Sequence, residues 1–239
     1  MTAQARRPNR YLSLIVWLLP ACGLKNRLLN LIGNQIAPDA VLAPSVVIGC
    51  GAFTIGDRSG IAMGNVFRNL SAVVMDSDAQ IGSFSMISAS PVYQQFDDRA
   101  GQLRVGRLAF ITNRHSLDCS GQIEVREGGA IAGVRSVFQS HELDVEANRT
   151  TIGSIVVGSR SLVGASAVVL KNARIPDRSL VAAGSTVTAH RDDDAMRPGL
   201  YAGSPARWRR ELTRTEWMDR DSLHTHPASA EDFDFDNSW

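Results

Sequence analysis

The stretch Val157-Gly-Ser-Arg-Ser-Leu-Val163-Gly-Ala-Ser-Ala-Val-Val169-Leu-Lys-Asn-Ala-Arg-Ile175-Pro-Asp-Arg-Ser-Leu-Val181-Ala-Ala-Gly-Ser-Thr-Val187 places an aliphatic residue at every sixth position. Six is neither the turn of a helix, about 3.6 residues, nor the two-residue alternation of a strand. A repeat of that length is one short strand plus a turn, and its apolar residues share an interior only if the chain winds as a solenoid. The spacing recurs upstream in Ile36, Leu42, Ile48; in Ile55, Ile61; in Ile81, Ile87; in Val105, Ile111, Leu117; and in Val125, Ile131, Val137. The next residue is usually small, as in Ala37, Gly56 and Gly106, and so often is the one four places on, as in Ala40, Ser59 and Ala167. The simplest closed cross-section is triangular, three repeats to a coil, so residues 35–195 are expected to form an all-β solenoid.

Breaks in phase mark where the chain leaves the coil. Val137 to Val157 is one coil of about 18 residues plus two, and the polar run 142–151 lies within it, so a loop is expected to project there. Ile87 to Val105 keeps phase, yet Tyr93-Gln-Gln-Phe-Asp-Asp-Arg99 cannot fill two interior faces. That segment is either a degenerate coil or a second projecting loop. Long loops on a rigid scaffold are where function tends to sit.

Composition narrows the classes. The 239 residues are 44% hydrophobic, which excludes wholesale disorder, and 25 Lys+Arg against 24 Asp+Glu give no charge excess that calls for nucleic acid. Cys22, Cys50 and Cys119 are too few for a disulfide framework and lack the paired spacing of a zinc site, so a reducing compartment fits. The apolar stretch Tyr11 to Pro20 is about half of the ~20 residues that span a bilayer. Arg6, Arg7 and Arg10 precede it, and Leu19-Pro20-Ala21-Cys22 makes a poor lipoprotein cleavage box. Residues 1–34 are therefore expected to be a retained helical segment of a cytoplasmic protein, with peripheral membrane contact through residues 6–31 as the other reading. A turn and helix are expected over 196–220 and a mobile acidic tail over 221–239, with His224 and His226 too isolated to be ligands.

His115 and His141 fall at the fifth place of their repeats, where most have something small. Stacking by coil puts Gly121, His141 and Ser161 in one column and His115 in the next, which would bring the two rings within one corner. The plainer reading of either is a corner histidine satisfied by backbone. Cys119 lacks the basic partner that a covalent nucleophile needs.

Ser140-His141-Glu142-Leu143-Asp144 resembles the Thr-His-x-Leu-Asp signature of hexapeptide-repeat O-acetyltransferases such as the maltose and galactoside enzymes. Val157-Gly158 and Val163-Gly164-Ala165-Ser166-Ala167-Val168 look like the coils that carry the acetyl-CoA groove of that family, and Ala202-Gly203-Ser204-Pro205-Ala206-Arg207 matches its Gly-x-Pro-Ala-basic segment. Thr112-Asn113-Arg114-His115-Ser116-Leu117-Asp118-Cys119, followed by Ile131-Ala132-Gly133, is closer to a bacterial polysaccharide and sugar acyltransferase branch. The resemblance covers residues 32 to 212. It departs at Leu162, where the maltose-type enzymes carry tryptophan, and mildly at Ser140.

The resemblance implies a left-handed parallel β-helix, a hand that the usual crossover rule would not give, ending in a short C-terminal helix. It also implies a homotrimer with sites between subunits, and transfer of an acetyl group from acetyl-CoA to a sugar or glycan hydroxyl without a metal. His141 is then the general base, with Asp144 or Glu142 to orient it. His115, Arg114 and Asp118 fall to the acceptor. Gly164, Ala165, Ala183, Gly184 and Arg207 fall to the cofactor, with an oxyanion donor near Gly164 or Ala165. Two rivals use the same solenoid: a silent binding scaffold, and a γ-class carbonic anhydrase, which needs three histidine ligands including a pair four residues apart, a spacing that His115, His141 and His190 do not provide.

Overall fold

The structure, a computed structural model, describes residues 8–189, 197–213 and 215–223. A triangular parallel solenoid forms the body. Its first face holds seven strands, from Gln35–Ile36 to Arg174–Ile175; the second face starts at Val41–Leu42 and the third at Val46–Ile48. Successive coils pair in parallel, Ile55 with Met75, Ile61 with Ile81 and Phe67 with Ile87, so each interior side chain stacks on its counterpart one coil away.

Every aliphatic position of the six-residue repeat is buried except Ile48 and Val137, whose neighbours Val47 and Phe138 point inward instead. A one-residue slip exchanges the two sides of a strand. Phe138 comes seven residues after Ile131 because the chain bulges there: Ile111 pairs with Ile131, but Asn113 pairs with Val134. Corners turn through left-handed backbone. Between the second and third faces that place is taken by Phe84, Arg114, Arg135 and Ser166, with φ of 60°, 58°, 64° and 55°. Such conformations cost L-residues roughly 1–2 kcal/mol, offset here by the hydrogen bonds between coils.

Two segments leave the solenoid, both from the corner between the third face and the next first face. After Ala89 the chain forms a 3-10 turn, Pro91–Gln95, and returns at Gln102–Val105 to pair with Ala72–Met75. It is a projecting loop and not a degenerate coil. The second excursion is an antiparallel hairpin of His141–Asp144 with Arg149–Ile152, in the place where the broken phase put a loop.

Two helices, α1 (Arg10–Trp17) and α2 (Gly23–Leu31), close the N-terminal end. The Asn9 side chain caps α1 by accepting from the amides of Tyr11 and Leu12. Trp17 drops into the end of the solenoid, its ring 4.6 Å from Phe53 and 6.4 Å from Phe67. Lys25 is buried and donates to the carbonyls of Trp17, Leu19 and Leu42 at 2.9 Å and of Ala43 at 3.2 Å, tying both helices to the first coil. Burial pulls its pKa down to about 8.

At the other end Leu200–Ala202 extends the second face, and Arg207–Arg210 folds back antiparallel on it. Within the 196–220 segment expected to hold a turn and helix, Arg207–Arg210 is thus a strand, because Ala202 and Tyr201 offer Arg207 and Trp208 an open sheet edge. The short helix is a 3-10 turn further on, Glu216–Asp219, held by Arg178 on Asp219 and Arg160 on the Met218 carbonyl. Arg6, Arg7, His190, His224, His226 and the tail from 224 onward lie outside the described residues.

Candidate active site

His141 stands where the hairpin leaves the coil. Ser140 still belongs to the solenoid: its hydroxyl donates to the Asp118 carbonyl at 2.6 Å and accepts from the Gly121 amide at 2.8 Å. One residue later, His141 is partly exposed and its Nδ1 meets Asp118 Oδ2 at 2.5 Å. An ionised carboxylate only accepts, so Nδ1 carries the proton and Nε2 is left as the basic nitrogen. Among the described residues nothing hydrogen-bonds Nε2. Asp118 Oδ1 is held in turn by the Ser120 hydroxyl at 2.6 Å and amide at 3.2 Å, and the Ser120 hydroxyl accepts from the Ser90 amide at 2.9 Å. The roots of both excursions are joined in one hydrogen-bonded line. The Tyr93 ring lies 6.3 Å from the imidazole.

Asp144 does not take the orienting role expected of it. Its carboxylate accepts from the Ala147 amide at 3.0 Å and faces Arg149 at 3.8 Å, so it shapes the hairpin turn. Glu142 is bound to Lys171, which also donates to Thr151 at 2.5 Å and so braces the hairpin on the next coil. Asp118, assigned from sequence to the acceptor, is the carboxylate that touches the ring.

His115 is not in this corner. It sits between the second and third faces, 2% exposed, at the opposite end of the strand that carries Asp118. Its level in the next coil is Ser136, five residues before His141, which at ~3.3 Å per residue separates the histidines by about 16 Å along the face. Nor do Gly121, His141 and Ser161 form a column: Gly121 stacks on Gly153, and Ser161 on Ser179 in the first corner. The loop insertions shift each of these out of the register that a count by sixes gives. His115 is instead one rung of a polar ladder. Asn65 accepts from the Ser85 amide, Ser85 from His115 N, His115 Nδ1 from Ser136 N at 3.1 Å, and Ser136 from Ala167 N. Nε2–H therefore donates to Thr112 Oγ1, 3.0 Å away, and burial pulls the pKa down to about 4. The ring is neutral and both nitrogens are spent.

The residues expected to meet a cofactor line this second corner. Gly184 N bonds Ala165 O at 2.9 Å, and a Cβ on Gly164 would stand 2.7 Å from Ala183 N, so the coils stack too closely there for a side chain at 164. The Gly164 amide is committed to Val181 O. Arg114 is exposed at the same corner, and Arg207 is exposed on the terminal strand opposite Ala202. The structure thus sorts the candidates into two groups: His141 and Asp118 at one edge of the third face, and Arg114, Gly164, Ala165, Ala183, Gly184 and Arg207 at or near the other. Cys119 is fully buried and its thiol pKa is raised by burial.

Beside the hairpin, a cleft of about 250 Å³ opens between the two excursions, lined by Asp97, Arg99, Gly121, Gln122, Ser154 and Asn172 and walled by Ile152, the residue paired with His141. Among the described residues, no group of three His, Cys, Asp or Glu is placed to hold a metal ion. Sequence reading passed over Ser90, Ser120 and Lys171, and reached Tyr93 only as the start of a possible loop. Only Ser120 left a signal, a hydroxyl two residues after an aspartate.

No protein-family model matches the chain, and no curated protein resembles it significantly. Among solved structures, a variant of AntD, an N-acyltransferase from Bacillus cereus in complex with dTDP and coenzyme A, superposes with a TM-score of 0.50 at 17% identity, over 65% of this chain and 84% of that one. A hexapeptide-repeat acetyltransferase from Vibrio cholerae in complex with acetyl coenzyme A gives 0.39 at 20% identity over 70% and 72%. The polySia-specific acetyltransferase NeuO gives 0.40 at 13% over 77% and 86%. At its level of identity the AntD likeness establishes the fold: this solenoid is a left-handed parallel β-helix.

Proposed function

We propose that the protein is an acyl-CoA-dependent O-acyltransferase that moves an acetyl group from acetyl-CoA to a hydroxyl of a sugar or glycan precursor. The observation that carries this reading is the His141–Asp118 pair on an excursion from the β-helix. A sugar hydroxyl is a poor nucleophile at neutral pH. As its oxygen attacks the thioester carbon, His141 Nε2 takes its proton; the C–S bond then breaks and the imidazolium returns the proton to the departing coenzyme A sulfur. Asp118 holds the tautomer and stabilises the imidazolium, while a base so placed contributes ~10²- to 10⁴-fold. No acyl-enzyme forms, in keeping with the burial of Cys119. The polar cleft beside the hairpin suits a hydroxyl-rich acceptor.

The donor belongs at the second corner, with coenzyme A along the wall made by Ala165, Ala183 and Gly184 towards Arg207. AntD, which shares the fold, is complexed with coenzyme A. With the Gly164 amide taken, Ala165 becomes the candidate oxyanion donor. Arg114 moves from the acceptor to this donor wall. His141 lies at the far edge of the third face from that wall, so one chain cannot supply both halves. A homotrimer would, if third faces pack about the threefold axis and the wall of one subunit meets His141 of the next. The exposed apolar Ile48, Met86 and Val137 on the outside of that face support such packing. Acetyl-CoA as donor supports a cytoplasmic location.

The test is release of coenzyme A thiol from acetyl-CoA against a panel of sugars and lipid-linked sugars, with mass spectrometry of glycan from cells with and without the gene. An acceptor-dependent thiol signal and a lost ester-linked acetyl mass are expected. No release with any acceptor, despite acetyl-CoA binding, would leave a β-helix binding scaffold as the function.

A further inference from the structure

Helix α1 is apolar on both sides. Ser13 and Trp17 face the solenoid, while Tyr11, Leu12, Ile15 and Leu18 occupy the opposite stripe and are 63%, 51%, 61% and 49% exposed. Helix α2 repeats the arrangement: Lys25, Asn26 and Leu29 are buried, and Leu24 and Leu31 stand out on the other side, 62% and 81% exposed. A soluble helix normally turns polar residues outward, and contiguous exposed apolar surface marks an interaction site. Neither helix is long and apolar enough to cross a bilayer.

Charge identifies the occupant. No acidic residue precedes Asp39, whereas Arg10 and Arg27 are exposed at the edges of the apolar stripe and the sequence adds Arg6 and Arg7 ahead of α1. Lys25, the remaining cation of this region, is consumed by backbone carbonyls inside the cap. Two copies of the cap meeting face to face would set arginine against arginine, with no carboxylate between them. An anionic lipid surface satisfies both halves of the pattern, taking the leucines into the acyl boundary and pairing the arginines with phosphates. Tyr11, stacked with Arg10, has the amphipathic ring that favours the headgroup level.

We propose that the outer face of α1 and α2 docks the protein on an anionic membrane surface, peripherally and reversibly. The proposal is independent of the acyl-transfer reading, since none of these residues belongs to either corner.

Vesicle flotation of the full chain tests it, using phosphatidylcholine vesicles with and without phosphatidylglycerol. The protein is expected to float with the anionic vesicles alone and to be released by salt. Arg10→Ala and Arg27→Ala should each weaken partitioning about fivefold, the factor equivalent to ~1 kcal/mol per arginine near the surface. Leu12→Asp combined with Ile15→Asp should abolish flotation with unchanged thermal unfolding, and Leu31→Asp provides a second reading should the double variant misfold. Failure to float, equal binding to both compositions, or flotation indifferent to these aspartates would overturn the proposal. So would self-association through this face without lipid binding.

Discussion

Asp118 Oδ2 lies 2.5 Å from His141 Nδ1 although 23 residues separate them in the chain. They meet because Asp118 faces outward at the end of a third-face strand, and the next coil departs from the solenoid just beyond the matching position. His141→Ala is expected to lower turnover at least ~100-fold with the fold intact, the low end of what a general base contributes. Asp118→Asn should lower kcat by less, with acetyl-CoA KM little changed, because it deprives the ring of its orienting charge and leaves the base in place. Asp144→Asn, which touches only the hairpin turn, should stay near wild type. Steady-state kinetics on purified variants rank the three, and a larger loss at Asp144 than at Asp118 would reverse the assignment.

For His115 the expected effect is on stability. Burial pulls its pKa from 6.5 to about 4, so between those values the unfolded chain takes up a proton that the folded one refuses. Its contribution is therefore complete above pH 6.5 and declines as pH falls towards 4, by a total on the order of 3 kcal/mol at 1.36 kcal/mol per pH unit. Urea midpoints at pH 7 and pH 5 should differ more for the wild type than for His115→Gln. His115→Ala should also cost ~1–3 kcal/mol at pH 7 by stranding the Ser136 amide, with milder kinetic loss than His141→Ala.

A trimer with composite sites predicts complementation. Ala165→Trp, which blocks the donor wall, and His141→Ala, which removes the base, should each be inactive. Mixed trimers assembled from the two should regain activity, because one interface joins an intact wall to an intact histidine. Light scattering should report three times the 25.9 kDa chain. A monomer at micromolar concentration, or mixed trimers as inactive as the parents, would contradict the arrangement.

Arg207 lies exposed beyond the Ala165–Gly184 wall, one strand past the last coil. If it binds a phosphate of coenzyme A, Arg207→Ala should raise acetyl-CoA KM by a factor equivalent to ~1.5–3 kcal/mol, with kcat nearly unchanged. An unaltered KM would return the side chain to solvent.

Trp17 seals the N-terminal end against Phe53 and Phe67. Trp17→Ala should cost ~3–5 kcal/mol in equilibrium unfolding, and hydrogen exchange should show the loss concentrated in α1, α2 and the first coil. Uniform protection across the helices in the variant would mean that the cap is held mainly by Lys25.

The six-residue period determined the solenoid, most of its interior positions and the excursion at 142–151, because each repeat buries the same face whatever its neighbours do; the segment after Ile87 keeps phase, and only the structure made it a projecting loop. Two interior assignments failed, at Ile48 and Val137, where a corner one residue short or long flips the strand. His141 could be singled out from its own segment. Its partner could not: Asp144 is close in sequence but pointed into a hairpin turn, while Asp118 is brought alongside by the pairing of Ser116–Asp118 with Val137–Gln139. His115 looked equivalent to His141 in the repeat, and only the tertiary structure separated them, placing one in a buried ladder of amide acceptors and the other at the mouth of a hairpin. Periodicity is a local property and survives insertion, whereas the column in which a side chain ends up depends on the summed lengths of every loop between coils. The pairing of charges across those columns belongs to the folded solenoid alone.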